Sequence, residues 1–427
     1  MIATTLILLL VLIGLSIPVG AALGVLGLVL DPLYSMLPLT RGIGELAWST
    51  NNEFLLVAIP LFILLGEILL RSGFAERMYG AMSLWLSWLP GGLMHANIGA
   101  SALFAATSGS SVATAATVGT VALPQIKRYG YNEPLFLGSL AAGGTLGILI
   151  PPSINLVLYG VLTNSSVPKL YLAGIIPGLL LAGLFMLTVI IGCVVKPEWG
   201  GRRIAASWGE RLASLAHLAP PLGIFLLVVG SIYAGLATPT EAAALGVTGA
   251  MALAAWSRRL TLPMLREAVE GTMKATAMIM LIIIAAAFLN FVMAATGITD
   301  AITNSIRGLG LSPAQMLVVI VVFYLILGCF METLSMMITT IPIVAPIMIG
   351  LGYDPIWLGI LIIVLVEAAL ITPPVGLNLF VVQSLRKSGS MNAVIMGSMP
   401  YVAAMAVLLL LLALVPDLAL FLPRVFE

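Results

Sequence analysis

The sequence predicts an all-α polytopic membrane protein built from two inverted repeats, each with a re-entrant helical hairpin and a discontinuous helix. Three observations support this prediction: an apolar composition, an internal repeat of broken apolar segments, and an uneven distribution of basic residues. Hydrophobic residues make up 61% of the 427 residues and charged residues only 8%, whereas soluble domains carry about 25% charged residues. The mean hydropathy is +1.17. We therefore expect the chain to lie in a lipid bilayer.

Composition and charge exclude several classes of protein. The formal net charge of +1 leaves no basic surface for nucleic acid and no acidic tail. Cys193 and Cys329 lie far apart in apolar runs, which predicts buried, unreactive thiols rather than a disulfide or a thiolate metal site. The sequence shows no Ser-His-Asp set, no paired intramembrane aspartates and no His-Cys cluster. We therefore expect no enzyme and no catalytic residues.

Two polar tracts, residues 108–117 and 331–339, lie inside apolar runs and are copies of one another. An offset of 222 residues matches Ser111 with Thr333, Thr117 with Thr339, Pro124 with Pro346, Gly130 with Gly352 and Pro151-Pro152 with Pro373-Pro374. A one-residue slip also matches Asn155 with Asn378. Chance seldom preserves one offset through several prolines. We therefore predict two structural repeats, 51–165 and 272–388.

The chain before the first hairpin is predicted to form an N-terminal helix and loop over 1–50, followed by a second span. Residues 5–30 form one apolar run of helix-spanning length. The run lacks the basic start and the cleavage site of a signal peptide, so we expect a retained helix. A span at 54–70 follows, and the amphipathic stretch 75–89, with two tryptophans, predicts a helix in the membrane interface.

The first repeat contains two interruptions at membrane depth. The apolar run 91–126 is broken at residues 109–111 and flanked by basic residues at both ends, which favours a re-entrant hairpin over a crossing helix. The next span, from 134, is interrupted by the glycines of 143–147 and by Pro151-Pro152. These prolines free carbonyl oxygens from helical hydrogen bonds. Such groups are tolerated in a membrane only where they are buried in protein or line a cavity.

The middle section, 166–271, is predicted to supply scaffold helices at 171–194, 214–236 and 238–256. The last of these opens with Thr238-Pro239-Thr240-Glu241, a capping box with proline at the first helical position. An ion or proton site at Glu241 is the alternative, but the cap explains its spacing completely.

The second repeat and the C-terminal helix complete the predicted order. We expect a span at 272–296, a hairpin over 312–350 that breaks at Glu332-Thr333, a span from 355 that breaks at 372–376, and a C-terminal helix within 389–427, spanning 391–421. With non-crossing hairpins, five spans separate the two repeats, so the repeats are inverted. Of the 18 Lys and Arg residues, all but Arg41, Lys169, Arg307 and Arg424 then fall on the side of the N-terminus. The N-terminus is therefore predicted to be cytoplasmic and the C-terminus periplasmic.

Three stretches resemble one family of transporters. Residues 147–154, 238–244 and 372–379 are similar to signature stretches of the large, DctM-like membrane subunit of TRAP (tripartite ATP-independent periplasmic) transporters. The resemblance implies a sodium-driven importer of organic acids in the bacterial inner membrane, working by an elevator motion of a transport domain against a scaffold. It also implies two partners, a small DctQ-like membrane subunit, expected as a separate polypeptide, and a DctP-like periplasmic substrate-binding protein.

The polar tracts carry the oxygen atoms that such an importer needs. Hydroxyl groups and freed carbonyls can bind sodium without a dedicated charge, as at the discontinuous helices of transporters. The candidate sodium ligands, divided between two expected sites, are Ser108, Ser111, Thr114 and Gly147 in the first repeat and Glu332, Thr333, Ser335, Thr372 and Gly376 in the second. The alternative is that these small and hydroxylated residues only allow close helix packing.

An organic acid anion at the midplane needs neutralising partners, yet neither tract contains Lys or Arg. The candidate substrate-binding residues are Ser110, Ser111, Thr145, Asn155, Thr333 and Asn378. Charge neutralisation would come from bound sodium and from the half-helix N-termini after Ser111 and Thr333.

Three carboxylates near the predicted spans allow different interpretations. Glu332 fits either ion or proton coupling or a hydrogen-bonded structural role. Glu67 and Glu367 are interpreted as structural, satisfied by neighbouring backbone or a nearby arginine.

Two further functions remain as alternatives at this point. One is a stand-alone sodium/carboxylate symporter of the same superfamily, which would work without a binding protein. The other is a passive channel, which would more naturally show rings of charge or a repeated carbonyl filter around a pore.

Overall fold

The computed structural model describes residues 1–15, 17–202, 204–308, 310–328, 331–386 and 388–426, and within these ranges it is helical with no β-strand. Six helices among these residues are long and apolar enough to cross a membrane, or seven if one bent pair counts as a span. The prediction of an all-α polytopic membrane protein is confirmed. Three residues used in the predictions lie outside the described residues. They are Arg203 and Lys387, which belong to the charge count, and Cys329, whose thiol was predicted to be buried.

The N-terminal segment forms two helices rather than one. Helix α1 covers Ile2–Gly14 and α2 covers Val19–Tyr34, so the prediction of a single helix over 5–30 is wrong. Pro18 directly precedes α2, and proline cannot donate the hydrogen bond that a continuous helix needs there. The following loop also contains a helix, α3, at Ile43–Asn51. Asp31 anchors this loop because its carboxylate accepts hydrogen bonds from the Leu39 and Thr40 amides at 3.2 and 3.1 Å.

The first half contains helix breaks at the two places where the sequence predicts interruptions, at residues 109–110 and after Leu149. The helices of this half are α4 Ala58–Arg71, α5 Phe74–Leu86, α6 Leu93–Ser108, α7 Ser111–Tyr129, α8 Glu133–Leu149 and α9 Ile154–Thr163. Helices α6 and α7 pack against each other and both pack against α8. Helices α8 and α9 are bent by 43° at the break between them.

The middle section contains three long helices, and a fourth begins in it and continues through the span predicted at 272–296. The three are α10 Val167–Val195, α11 Trp208–Tyr233 and α12 Pro239–Trp256, and the fourth is α13 Leu262–Ala295. The capping box at the start of α12 is present: the Thr238 amide and hydroxyl both donate to Glu241 Oε2 at 2.8 Å. Glu241 is therefore a helix cap in this structure. Cys193 on α10 is buried, as predicted.

The second half repeats the order of a hairpin followed by a broken helix. Its helices are α14 Ile298–Gly308, α15 Pro313–Leu327, α16 Thr333–Gly350, α17 Pro355–Ile371, α18 Leu377–Ser384, α19 Met391–Leu414 and α20 Asp417–Val425. The prediction of a last span over 391–421 is wrong at its C-terminal end. Helix α19 stops at Leu414 and Pro416 precedes α20, because proline interrupts the helical hydrogen-bond ladder.

Helices α8 and α17 lie at the centre of the molecule. Nearly every side chain of both helices is buried, which fits their lack of a polar face. The two helices contact each other, and α8 also contacts α18 and α19 from the second half of the chain. Each ends at a break with a cis proline peptide, Pro151-Pro152 after α8 and Pro373-Pro374 after α17. These breaks and the two hairpin ends position the site described next.

Candidate functional site

The ends of both hairpins meet at one cavity of about 380 Å³. The first hairpin contributes residues 108–113 and the second contributes Glu332, Thr333 and Leu334. Asn155, at the start of α9, also lines the cavity, and residues of α4 and α13 form a further wall. The structure therefore brings together four of the six predicted substrate-binding residues, namely Ser110, Ser111, Asn155 and Thr333.

A hydroxyl network closes the end of the first hairpin. The Ser110 side chain caps α7 by accepting from the Ala113 amide at 3.4 Å. The Thr114 hydroxyl donates to the Ser110 carbonyl at 2.7 Å and lies 3.1 Å from Ser108 Oγ. Ser108 and Thr114 are both buried. Three of the predicted polar residues thus share one small region of the hairpin end.

This hairpin end packs directly against the break between α8 and α9. Gly109 adopts a left-handed conformation, with φ of +60°, and a Cβ there would lie 3.1 Å from the Pro152 carbonyl oxygen. A Cβ on Gly147 would lie 2.7 Å from the Ser110 carbonyl oxygen and 2.9 Å from the Ser111 amide nitrogen. Both contacts require glycine because backbone atoms cannot yield as a flexible side chain can. The freed carbonyls of the break therefore lie beside the hydroxyl network.

Ser111 contacts a residue that the sequence analysis did not associate with the site. Its hydroxyl donates to the Glu367 carboxylate, with Oγ 3.0 Å from each carboxylate oxygen. Glu367 lies on α17 and is fully buried. We expected neighbouring backbone or an arginine to bind the Glu367 carboxylate, and this prediction of its partner is wrong. A carboxylate inside a predicted span is by itself a signal of function, which could have drawn attention to this residue.

The second hairpin ends in a carboxylate cap. Glu332 accepts hydrogen bonds from the Leu334 and Ser335 amides at 3.2 Å and thereby caps α16. The hydroxyls of Thr333 and Ser335 donate to the same carboxylate at 3.1 and 3.2 Å. The hydrogen-bonded role considered for Glu332 is therefore present. Because Glu332 also lines the cavity, its charge lies at the place where two helix ends meet.

The remaining predicted site residues lie behind the cavity, among the described residues that do not line it. The Thr145 hydroxyl donates to the Ala142 carbonyl at 2.7 Å, and the Asn378 Nδ2 donates to the Ala141 carbonyl at 3.2 Å. The Thr372 hydroxyl donates to the Ala368 carbonyl at 2.7 Å. Gly376 precedes α18 with φ of +56°. These residues stabilise the broken helices that hold the hairpin ends.

The wall formed by α4 and α13 was not predicted. Gly66 on α4 lies against the first hairpin end, since a Cβ there would be 3.1 Å from the Ser108 Cα. One turn of α4 brings Glu67 to Arg71, and these side chains form the ion pair that the sequence suggested for Glu67. Arg71 also lies 3.4 Å from Glu267 on α13. Apolar residues supply most of this wall, and their side chains give no sequence signal of a site.

The family model for the tripartite ATP-independent periplasmic transporter, DctM component, matches residues 6–418. This chain belongs to that family. DctM is the large component of a TRAP transporter, so the expectation drawn from the three signature stretches is confirmed. The chain is accordingly a multi-pass membrane protein and a TRAP large permease.

Relatives of this TRAP permease carry the names of several substrates. The C4-dicarboxylate TRAP transporter large permease proteins DctM of Pseudomonas aeruginosa and Vibrio cholerae are 37% and 34% identical, covering 90% and 96% of this chain and 90% and 94% of the relatives. The isethionate TRAP transporter permease protein DctMQ of Oleidesulfovibrio alaskensis is 31% identical over 95% of this chain, which spans 64% of that protein. Further relatives are named for ectoine, in Halomonas elongata, and for sialic acid, in Vibrio cholerae.

Solved transporters share the fold of this TRAP permease at low sequence identity. The Alcanivorax borkumensis YdaH transporter superposes with a TM-score of 0.61 at 17% identity, over 95% of this chain and 96% of that one. This likeness shows a common transporter fold.

Proposed function

We propose that this TRAP permease is a sodium-coupled secondary importer of a small organic acid anion and receives its substrate from a periplasmic binding protein. The observation that carries the proposal is the single cavity at which both hairpin ends meet. Carboxylates, a sulfonate and a sugar acid appear among the substrates for which relatives are named. These three names support an anion as the substrate, a further relative is named for ectoine, and the specific acid is left open.

Two sodium sites are proposed, one at each hairpin end. The first would use the hydroxyls of Ser108, Ser111 and Thr114 together with carbonyls of the break beside Gly147. The second would use Glu332, Thr333 and Ser335 together with the break from Thr372 to Gly376. Support comes from the oxygen atoms already gathered at each end and from helix breaks, which expose carbonyls as ligands.

An inverted arrangement and an elevator motion complete the proposed mechanism. Each half of the chain contains a hairpin followed by a helix broken at two prolines. The count of predicted spans gives the two halves opposite orientations. We propose that the hairpins and broken helices move together as a transport domain against the scaffold helices of 166–271. The cavity would then face the periplasm and the cytoplasm in turn.

Substrate binding is proposed to depend on sodium because the lining of the cavity has no basic side chain among the described residues. Glu332 places negative charge at the same cavity. The first turns of α7 and α16 begin at the cavity, and a helix N-terminus offers only partial positive charge. Sodium would therefore have to compensate the charge before a carboxylate could enter.

The proposed partners are a small DctQ-like membrane subunit and a DctP-like periplasmic binding protein. Support comes from the family, in which DctM is the large component of a tripartite transporter. The proposed location is the bacterial inner membrane, with a cytoplasmic N-terminus and a periplasmic C-terminus.

A reconstituted transport assay tests the proposal. The permease, its small subunit and its binding protein would be placed in vesicles, and uptake of labelled C4-dicarboxylate, isethionate and sialic acid would be measured. We expect uptake of one of these acids with sodium outside and none when potassium replaces sodium at equal ionic strength. Uptake that continues without sodium would instead indicate a channel, and uptake without the binding protein would indicate a stand-alone symporter.

A further inference from the structure

Glu367 is a buried carboxylate whose hydrogen bonds do not satisfy it. The side chain is 0% exposed, and its contact is the Ser111 hydroxyl, 3.0 Å from each of its oxygens. One hydroxyl has a single proton to donate, so one carboxylate oxygen is left over. None of the basic side chains that the structure describes forms an ion pair with Glu367. An isolated buried charge of this kind is costly, so either a proton or a cation must neutralise it.

Asn378 provides a second buried acceptor, and it has no hydrogen-bond donor among the described residues. Its Nδ2 donates to the Ala141 carbonyl, which fixes the orientation of the amide. The acceptor is its Oδ1. A Cβ built on Gly144 would lie 3.0 Å from Asn378 Nδ2 and 3.2 Å from the Ser111 carbonyl oxygen. The Asn378 amide and the Ser111 backbone carbonyl therefore both lie against Gly144.

We propose that the Glu367 carboxylate, Ser111 Oγ and Asn378 Oδ1 form a site for a monovalent cation, and that Glu367 supplies its charge. The inference rests on the proposed sodium coupling, and it deepens it by assigning an anionic ligand to the first hairpin end. A set of oxygen ligands suits a hard cation. One carboxylate matches one positive charge, whereas calcium sites usually collect more ligands and several carboxylates.

The internal repeat allows the carboxylates at the two hairpin ends to be compared. The offset of 222 places Thr145 at the position of Glu367 and Ser110 at the position of Glu332. Each hairpin end nevertheless has one carboxylate. The second hairpin carries Glu332 as its own helix cap, while the first borrows Glu367 from α17 of the other half. Sodium at both ends would therefore cancel the charge of the protein and remove the repulsion that an entering anion would meet.

The test compares Glu367→Gln with the unchanged protein in a sodium titration. Glutamine can still accept the hydrogen bond from Ser111, but it has no charge. The purified permease would be titrated with sodium against potassium at constant ionic strength, without substrate, and its thermal unfolding would be followed, since a bound cation stabilises the folded state. We expect the sodium concentration for half-maximal stabilisation to rise roughly 10- to 100-fold in the variant.

Glu270→Gln is the matched control. Glu270 is a carboxylate on α13 that pairs with Arg266, away from the cavity lining, so its variant should titrate like the unchanged protein. Equal sodium midpoints for Glu367→Gln and the unchanged protein would overturn the inference and leave the proposed sodium coupling standing. A permease that shows no response to sodium, in this titration or in uptake, would overturn both.

A second variant covers the case in which Glu367→Gln does not fold. Glu367→Asp keeps the charge but withdraws it by one methylene, so we expect a smaller rise in the same midpoint. A midpoint unchanged by this shortening would also count against the site.

Discussion

At the scale of single residues, the two hairpin ends use hydroxyl groups in different ways. Ser111 donates across the two halves of the molecule to Glu367, whereas Thr333 donates to the adjacent Glu332. Both hydroxyls are buried at the cavity. A hydroxyl whose proton points to a carboxylate leaves its oxygen lone pairs free to bind a cation. The hydrogen bonds of Ser111 and Thr333 have this orientation.

Replacing either hydroxyl should lower the apparent affinity of the permease for sodium. In Ser111→Ala and in Thr333→Ala, the sodium concentration for half-maximal uptake is expected to rise about tenfold, as for loss of a polar contact to a charged group. Thr248→Ala is the control, because the Thr248 hydroxyl is on α12 and bonds only to its own helix at the Ala244 carbonyl. Sodium dependence that stays the same in both hairpin variants would contradict the assignment of these residues.

At the scale of elements, the fit between the first hairpin and the broken helix depends on glycine. Gly147→Ala would bring a methyl group to 2.7 Å from the Ser110 carbonyl oxygen, and a backbone atom can move away only with the whole hairpin end. Overpacking of this kind costs about 1–3 kcal/mol. We expect lower thermal stability and loss of most uptake.

Gly183→Ala is the matched change. Gly183 is on α10, and an added Cβ there meets no atom within 4 Å, so alanine should leave stability and uptake unaltered or slightly improve stability through its helix propensity. A Gly147→Ala protein with normal stability and uptake would show that the hairpin end does not need its close contact with the break.

The helical elements differ in how far the sequence could predict them. The polar tracts at 108–117 and 331–339 and the paired prolines indicated both hairpins and both broken helices, because each interruption has a local cause. The breaks at Pro18 and Pro416 were missed, since long apolar runs suggested continuous spans on both sides of a proline. The bond between Ser111 and Glu367 joins residues 256 positions apart. No local pattern specifies such a pair, and the apolar wall of α4 and α13 carries no pattern of its own.

At the scale of the whole molecule, the proposed inversion of the two halves makes a prediction about sidedness. Cysteines at the hairpin ends would not report it, because both ends line the same cavity. The open ends of the hairpins are suitable instead: Arg128 on α7 and Ala314 on α15 are both exposed. Arg128→Cys should react with an impermeant reagent from the cytoplasmic side and Ala314→Cys from the periplasmic side.

This labelling would use a protein in which Cys193 and Cys329 are replaced by alanine. A cysteine at Gly209, next to the start of α11 and predicted to be cytoplasmic, serves as the reference for one side. Reaction of Arg128→Cys and Ala314→Cys from the same side would mean that the two halves are not inverted.

The central position of α8 has a consequence for biogenesis. Helix α8 is covered by α17, α18 and α19, and three of its contacts come late in the chain: Asn378 bonds to the Ala141 carbonyl, Tyr401 to the Leu135 carbonyl, and Ser398 lies beside Gly138. Synthesis proceeds from the N-terminus, so α8 enters the bilayer more than 200 residues before these partners exist. Helices α6 and α7 of the first half also pack against α8, but the part of α8 that meets α17, α18 and α19 has no protein partner until the last third of the chain is made. Assembly of the candidate site is therefore expected to be a late event, because Ser111 meets Glu367 only after α17 has been made.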